Sequence, residues 1–192
     1  SDYILVHQSV KDKLVEALQQ SITKSYGENI EASPDYARTV SQEHYNGLKG
    51  MLINEEILFG GKYNDEDNYL SPTLVNEPQL DSKLMEGEIF GPNLPIIAYK
   101  TESDIYNYII NYPKPLATYV FSKNKKFQKK IINTYSFGGG AINDTVIQIT
   151  NKRLPFGGVG QSGIGAYHGK KSFDIFSHQK AIIKKANWFD AP

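Results

Sequence analysis

The sequence predicts an α/β fold over residues 1–178: a mainly parallel sheet covered by helices in three layers. Three observations carry that expectation. Residues 95–99 (PIIAY) and 116–121 (LATYVF) are continuous apolar runs, the pattern of strands buried on both faces of a sheet. Between them Ile105, Tyr108, Ile109 and Tyr112 share one helical face behind a cap at Thr101, so the order is strand, helix, strand. At the start, an apolar run at 3–6 precedes Val10, Leu14, Leu18 and Ile22 at four-residue spacing, a second strand–helix pair.

The remaining elements follow from local chemistry. Ser9 with Asp12 has the form of a capping box for the first helix, and Gly27 is its stop. A second helix begins near Ser41, with Tyr45, Leu48 and Leu52 on one face. Residues 57–59 read as a short strand closed by Gly60-Gly61, and 64–68 as a polar loop. Pro72 within 69–75 predicts an edge or irregular strand, because proline cannot donate to a ladder. Residues 124–135 form a helix with Phe127 and Ile131 inward, followed by a glycine-led strand at 138–143. Residues 180–185 (KAIIKK) are a last strand, in a tail from 179 to 192 that leaves the domain.

Composition removes several classes of function. The chain has 192 residues, with 21 Lys+Arg against 21 Asp+Glu, and this balance argues against a nucleic-acid protein. No apolar run approaches membrane-spanning length, and the opening residues SDYILVHQ are no signal peptide. With no cysteine there is neither a disulfide framework nor a thiol nucleophile in this chain. The four histidines lack metal-ligand spacing, so no metal site is expected. The composition predicts a soluble, cytoplasmic chain.

Two apparent motifs reduce to structure. Residues 158–163 (GVGQSG) match the dinucleotide pattern in form, but no buried strand feeds them. The lysines at 123, 125, 126, 129 and 130 read as the solvated face of a helix whose other face carries Phe127 and Ile131.

Two segments are candidates for chemistry, the first of which reads alternatively as a structural turn at Gly91-Pro92 with Glu88 in solvent. In 88–92 (EIFGP), Glu88 and Phe90 stand two residues apart, so extended chain projects both to one side. There a carboxylate accepts hydroxyl hydrogen bonds beside an apolar ring. The glycine-dense stretch 154–169 (LPFGGVGQSGIGAYHG) permits closely packed backbone, and its interleaved Phe156, Ile164, Tyr167 and His168 argue against a flexible linker.

In order and spacing, residues 88–92, 95–97, 116–122 (LATYVFS), 138–144 (GGGAIND) and 155–169 resemble the aldehyde dehydrogenase superfamily. Residues 167–180 (YHGKKSFDIFSHQK) are similar to its class 3 branch, which acts on fatty and aromatic aldehydes. The resemblance covers essentially the whole chain. It implies the C-terminal, catalytic-domain portion of an enzyme that oxidises aldehydes to carboxylic acids with NAD or NADP.

By that resemblance, residues 2–6 correspond to a strand a few residues beyond the nucleophilic cysteine. The cysteine, the general-base glutamate, the oxyanion-hole asparagine and the first nucleotide-binding domain then lie upstream. No catalytic residue is assigned here, and the chain alone is expected to be inactive. The family mechanism is thiolate addition, hydride transfer, and hydrolysis of a thioester by activated water. Glu88 would bind the ribose beside the nicotinamide and Phe90 would pack along that ribose and ring. Ile149, Thr150, Phe156 and His168 would line the aldehyde tunnel, while Asn143 would fix its loop; Phe156 reads equally as a core anchor beneath the glycine loop, and His168 as a partner for that loop's backbone. Gly87 departs from the family, where many relatives carry a second acid before the equivalent of Glu88. The strand in 180–184 would join a subunit-bridging sheet in a full-length homodimer. Two alternatives stay open: a non-catalytic dimerisation or scaffold module of this fold, and an acyl-phosphate reductase relative, against which 167–180 speaks.

Overall fold

A computed structural model describes residues 2–188, whose contacts separate two units, Ser1–Asn107 and Tyr108–Pro192. The first unit contains β1 (Ile4–His7), α1 (Lys11–Tyr26), α2 (Gln42–Gly50), β2 (Glu56–Phe59), β3 (Tyr63–Asn64), β4 (Tyr69–Leu70), β5 (Thr73–Asn76) and β6 (Asn93–Tyr99). Its main sheet has the order β1-β6-β5-β2. The β1–β6 and β5–β6 pairs are parallel and the β2–β5 pair is antiparallel, while β3 and β4 form a separate hairpin.

Three layers arise from alternation along β5. Leu74 and Val75 are neighbours, so they project to opposite faces of the sheet, and both are buried. On one face Leu74, Val6 and Ile96 meet Leu14, Val15 and Leu18 of α1. On the other, Val75 joins Tyr45 and Leu48 of α2 with Leu70, Leu84 and Ile89. The helix–sheet–helix sandwich is the predicted architecture.

Several local expectations need correction. A 3-10 turn at Gln8–Val10 precedes α1, whose N-cap is Val10 with no side-chain cap. The Ser9–Asp12 box is therefore not formed. Instead His7 Nδ1 accepts from the Ser9 amide, and the two side chains bond at 2.8 Å. Val10 is 46% exposed, and Val15 takes its place on the inward face. Gly27 does end the helix, at φ 83°.

The segment 69–75 is irregular, as one of the two expectations had it, but it is not an edge strand. Pro72 lies between β4 and β5, outside the ladder, and β5 is interior. A second proline, Pro95, sits buried inside the interior strand β6. Thr73 N donates to Pro92 O and Glu77 N to Ile96 O, so even-numbered β6 residues bond β5. Pro95 therefore turns its ring nitrogen toward the β1 side, ahead of the first paired residue there, Ile4 opposite Ile96. No ladder donor is lost.

The turn before β6 is packed against α2. Asn93 is buried and its Nδ2 donates to Leu48 O at 3.0 Å. A Cβ placed on Gly91 would lie 2.3 Å from Leu48 Cδ2. Leu48 is 1% exposed and has nowhere to retreat.

The boundary between units falls within α3 (Glu102–Ile109). Asp104 accepts from the amides of Thr101 and Lys100, which holds its carboxyl below the usual range and places the cap at Thr101. The second unit contains β7 (Ala117–Val120), α4 (Lys125–Thr134), β8 (Gly139–Ile142), α5 (Ile147–Thr150) and α6 (Gly169–Ile175). β7 and β8 pair in parallel across α4, a βαβ arrangement. Asn124 caps α4 and Ile131 is its buried residue, while its lysines and Lys123 are exposed as expected. The strand expected at 180–185 is not formed, and Ile182 and Ile183 are 76% and 95% exposed.

Two predictions follow the packing of α2. Gly91→Ala should destabilise the chain by about 1–3 kcal/mol through overpacking against Leu48. Chemical denaturation of Gly91→Ala, Leu48→Ala and the double variant should show the two changes to be less than additive. The second concerns Tyr45, whose hydroxyl donates to Asp65 Oδ1 at 2.7 Å. Burial, followed by that hydrogen bond, pushes its pKa from 10.0 up to about 12. The folded state thus keeps a proton that the unfolded chain releases. This contribution is complete below the unfolded value and disappears as pH rises through the folded one. Stability should fall between pH 10 and 12, and Tyr45→Phe should make that fall shallower in denaturant titrations.

Candidate functional site

The first candidate segment is the turn at 88–92. Ile89 is 2% exposed and joins Tyr45, Leu48 and Val75 in the core. Its amide donates to Asp2 Oδ1 at 3.4 Å. Glu88 and Phe90 flank this anchor and are both exposed, Phe90 by 78%. The expected alternation holds, but its assumed cause does not. Phe90 lies at φ 51°, in the left-handed region, so the chain turns here instead of running extended. An L-residue in that region costs about 1–2 kcal/mol and persists only where its surroundings hold it. Three things hold it here: buried Ile89 before it, Leu48 against Gly91 after it, and His44. The Nε2 of His44 lies 3.0 Å from the carbonyl oxygen of Phe90.

An exposed carboxylate beside an exposed aromatic face, on a locked turn, suits a ribose carrying a flat heterocycle. The carboxylate accepts from two vicinal hydroxyls and the ring supplies an apolar wall. These residues fit the group that the sequence resemblance implies.

The second segment closes on itself. Phe156 and Tyr167 form an isolated antiparallel bridge, with both N–H···O bonds at 2.9 Å. Their rings meet edge to face at 5.6 Å, and the Tyr167 and His168 rings likewise at 4.5 Å. Phe156 and His168 are brought to 6.2 Å between ring centroids. Glycine is required inside the loop: a Cβ on Gly157 would lie 2.2 Å from the carbonyl oxygen of Gly165, and one on Gly158 2.1 Å from that of Ser162. Backbone packs on backbone, and the loop is rigid for that reason. The formal dinucleotide pattern at 158–163 is spent on this packing, with only a 3-10 turn at Gly160–Ser162.

His168 lies at φ 78°, and its amide donates to Ser172 Oγ at 2.8 Å. Its Nδ1 is buried without a hydrogen-bond partner among the described residues. Ile149 and Thr150 are both exposed on the single turn of α5. That turn follows Val146 at φ 63°, an outlier for a β-branched residue. Thr150 Oγ1 donates to Ile147 O at 2.8 Å. Asn143, just after β8, ties its segment to the one that follows β7, its Oδ1 accepting from the Ser122 amide at 2.8 Å.

Sequence reasoning missed His44 and Gln148, and read Leu48 only as a residue of a helix face. His44, Leu48 and Gln148 each support a candidate segment, the last donating to Tyr119 OH at 3.1 Å. His44 and Leu48 stand more than forty positions from the turn they hold, and no local pattern links them. Among the described residues no group of three or more His, Cys, Asp or Glu side chains could hold a metal ion. No described helix is long and apolar enough to cross a membrane.

Comparison with known proteins shows the family. The aldehyde dehydrogenase family profile matches residues 1–182. The chain is 48% identical over 187 residues to 4,4'-diaponeurosporen-aldehyde dehydrogenase of Staphylococcus aureus, covering 96% of this chain and 41% of that protein. It is 45% identical to aldehyde dehydrogenase family 3 member A2 of Mus musculus, over 96% of this chain and 38% of the relative. It is also 42% identical to a Rattus norvegicus protein named aldehyde dehydrogenase, dimeric NADP-preferring, again over 96% of this chain and 41% of that one. Among solved structures, the substrate-bound state of Staphylococcus aureus AldH superposes with a TM-score of 0.90 at 47% identity, covering all of this chain and 42% of that one. Betaine aldehyde dehydrogenase of Staphylococcus aureus in complex with NAD+ gives 0.78 at 27% identity, over 99% of this chain and 41% of the other. The chain thus spans about two fifths of the length of these relatives. With a parallel-sheet α/β fold, a locked acid–aromatic turn and a family match over nearly its whole length, this chain belongs to the aldehyde dehydrogenase family.

Proposed function

We propose that this chain supplies the nicotinamide-facing turn and the aldehyde-lining loop of an NAD(P)-dependent aldehyde dehydrogenase that produces carboxylic acids. The observation that carries this reading is the turn at 88–92, where a buried Ile89 presents Glu88 and Phe90 outward on strained backbone. Glu88 binds the ribose hydroxyls next to the nicotinamide, and Phe90 limits where the ring can lie. The bound dinucleotide supplies the hydride acceptor. The NAD+-bound relative and the relative named NADP-preferring support either cofactor.

Phe156 and His168 form one wall of the aldehyde passage, with Ile149 and Thr150 contributing from α5. The thiol nucleophile comes from polypeptide outside this chain, which has no cysteine. Residues 1–178 act as the catalytic-domain portion and 179–192 as an assembly segment. The relative named dimeric supports a homodimer. The exposed Ile182 and Ile183 also favour a second reading, in which the isolated chain serves association without chemistry.

Two outcomes test the proposal. The purified 192-residue chain should form no NADH or NADPH from aldehyde, as monitored at the nicotinamide absorbance; thiol-type turnover by this chain would defeat the reading. A chimera in which the chain replaces the matching segment of the Staphylococcus aureus relative should oxidise aldehydes. In that chimera Glu88→Gln should lower kcat/KM for the cofactor roughly 10- to 100-fold, the loss of hydrogen bonds to a charged acceptor. Wild-type cofactor kinetics in the variant would remove Glu88 from the ribose.

A further inference from the structure

We infer that His44 is a positioning residue: it tethers the Phe90 carbonyl and so sets the left-handed turn that presents Phe90 and Glu88. The inference rests on the cofactor role proposed for that turn. His44 is the third residue of α2, and its amide donates to Ser41 Oγ at 3.2 Å, the cap of the helix. The next residue, Tyr45, is fully buried, and Leu48 lies one turn further on. The core therefore fixes α2, and α2 carries His44 to the surface beside the turn.

A carbonyl oxygen only accepts, so Nε2 of His44 donates across 3.0 Å. Both the Nε2–H tautomer and the imidazolium satisfy that requirement. The bond is exposed, and such bonds contribute about as much as left-handed backbone costs an L-residue. These two magnitudes nearly cancel, so this single contact decides how fully the turn is populated. Core packing pins Ile89 before Phe90 and Gly91 after it. The Phe90 carbonyl lies between these two anchors, and His44 is the side chain that bonds it. The carbonyl that His44 bonds belongs to the residue of the turn whose φ is positive.

The experiment uses three variants of the full chain: His44→Ala, His44→Gln and Phe90→Ala. The side-chain amide introduced by His44→Gln would reach about where Nε2 sits and donate in its place. In isotope-labelled chain the three-bond HN–Hα coupling and carbonyl shift of Phe90 report its φ directly. His44→Ala should reduce the left-handed population roughly 2- to 10-fold, with the dispersion of the core resonances unchanged. His44→Gln should restore it. An unchanged Phe90 signature in His44→Ala, or failure of His44→Gln to rescue, would overturn the tether.

In the chimera, His44→Ala should raise the cofactor KM several-fold more than it lowers kcat, again with rescue by His44→Gln. If Phe90→Ala and Glu88→Gln impair cofactor handling while His44→Ala does not, the positioning role is wrong. If all three are silent, the cofactor reading itself has failed and the positioning role falls with it, a result distinct from an altered Phe90 coupling in the isolated chain.

Discussion

Burial of Ile89 between two helical turns of α2 and the sheet is the contact on which the candidate chemistry depends. Ile89 shares its cluster with Tyr45, Leu48, Leu70, Val75 and Leu84, and Leu48 also closes over Gly91. A side chain of this kind, fully withdrawn from water, contributes about 1.5–3 kcal/mol. That fixes the residues on either side of Phe90, whose own unfavourable φ is offset by the His44 contact. The exposed residues on either side of Ile89 inherit a fixed direction, refined at Phe90 by the one tether from His44.

The glycine-rich loop solves the same problem differently. It has little apolar material to bury, so its rigidity comes from backbone packed on backbone at Gly157 and Gly158 and from a two-bond bridge between Phe156 and Tyr167. Those bonds place three rings in sequence, with His168 at one end. One candidate segment is rigid because a side chain is buried, the other because side chains are missing. The first presents exposed groups and the second the half-buried rings of Phe156 and His168, each on closely packed backbone, which is what orientation of a bound small molecule demands.

The two units also differ in charge placement. The lysines of α4 and Lys123 lie on the solvated side of a helix with Ile131 beneath, and charge balance holds only over the chain as a whole. In the first unit, charge is used locally. Lys49 and the Tyr45 hydroxyl both bind Asp65, which holds its carboxyl below the usual range, the Lys49 bond acting most strongly. Glu77 receives the Ala98 amide and pairs with Lys11, joining the end of β5 to β6 and to the start of α1.

Periodicity and composition by themselves determined the α/β class, the strands at 95–99 and 116–121, the helices with buried faces, and the absence of any thiol. These are local properties, written within one or two turns of chain. The motif order in 88–169 also identified the family that the profile match shows. Only the tertiary structure decided the rest. It put Pro72 outside a ladder and Pro95 inside one, because tolerance of proline depends on which neighbour its nitrogen faces. It withheld a strand from 180–185, since a strand is defined by pairing and not by its own residues. It turned the chain at Phe90 through contacts with His44 and Leu48, residues brought there by folding. Sequence spacing reports what one segment can do alone; which strained turn is held, and by what, is a property of packing between segments.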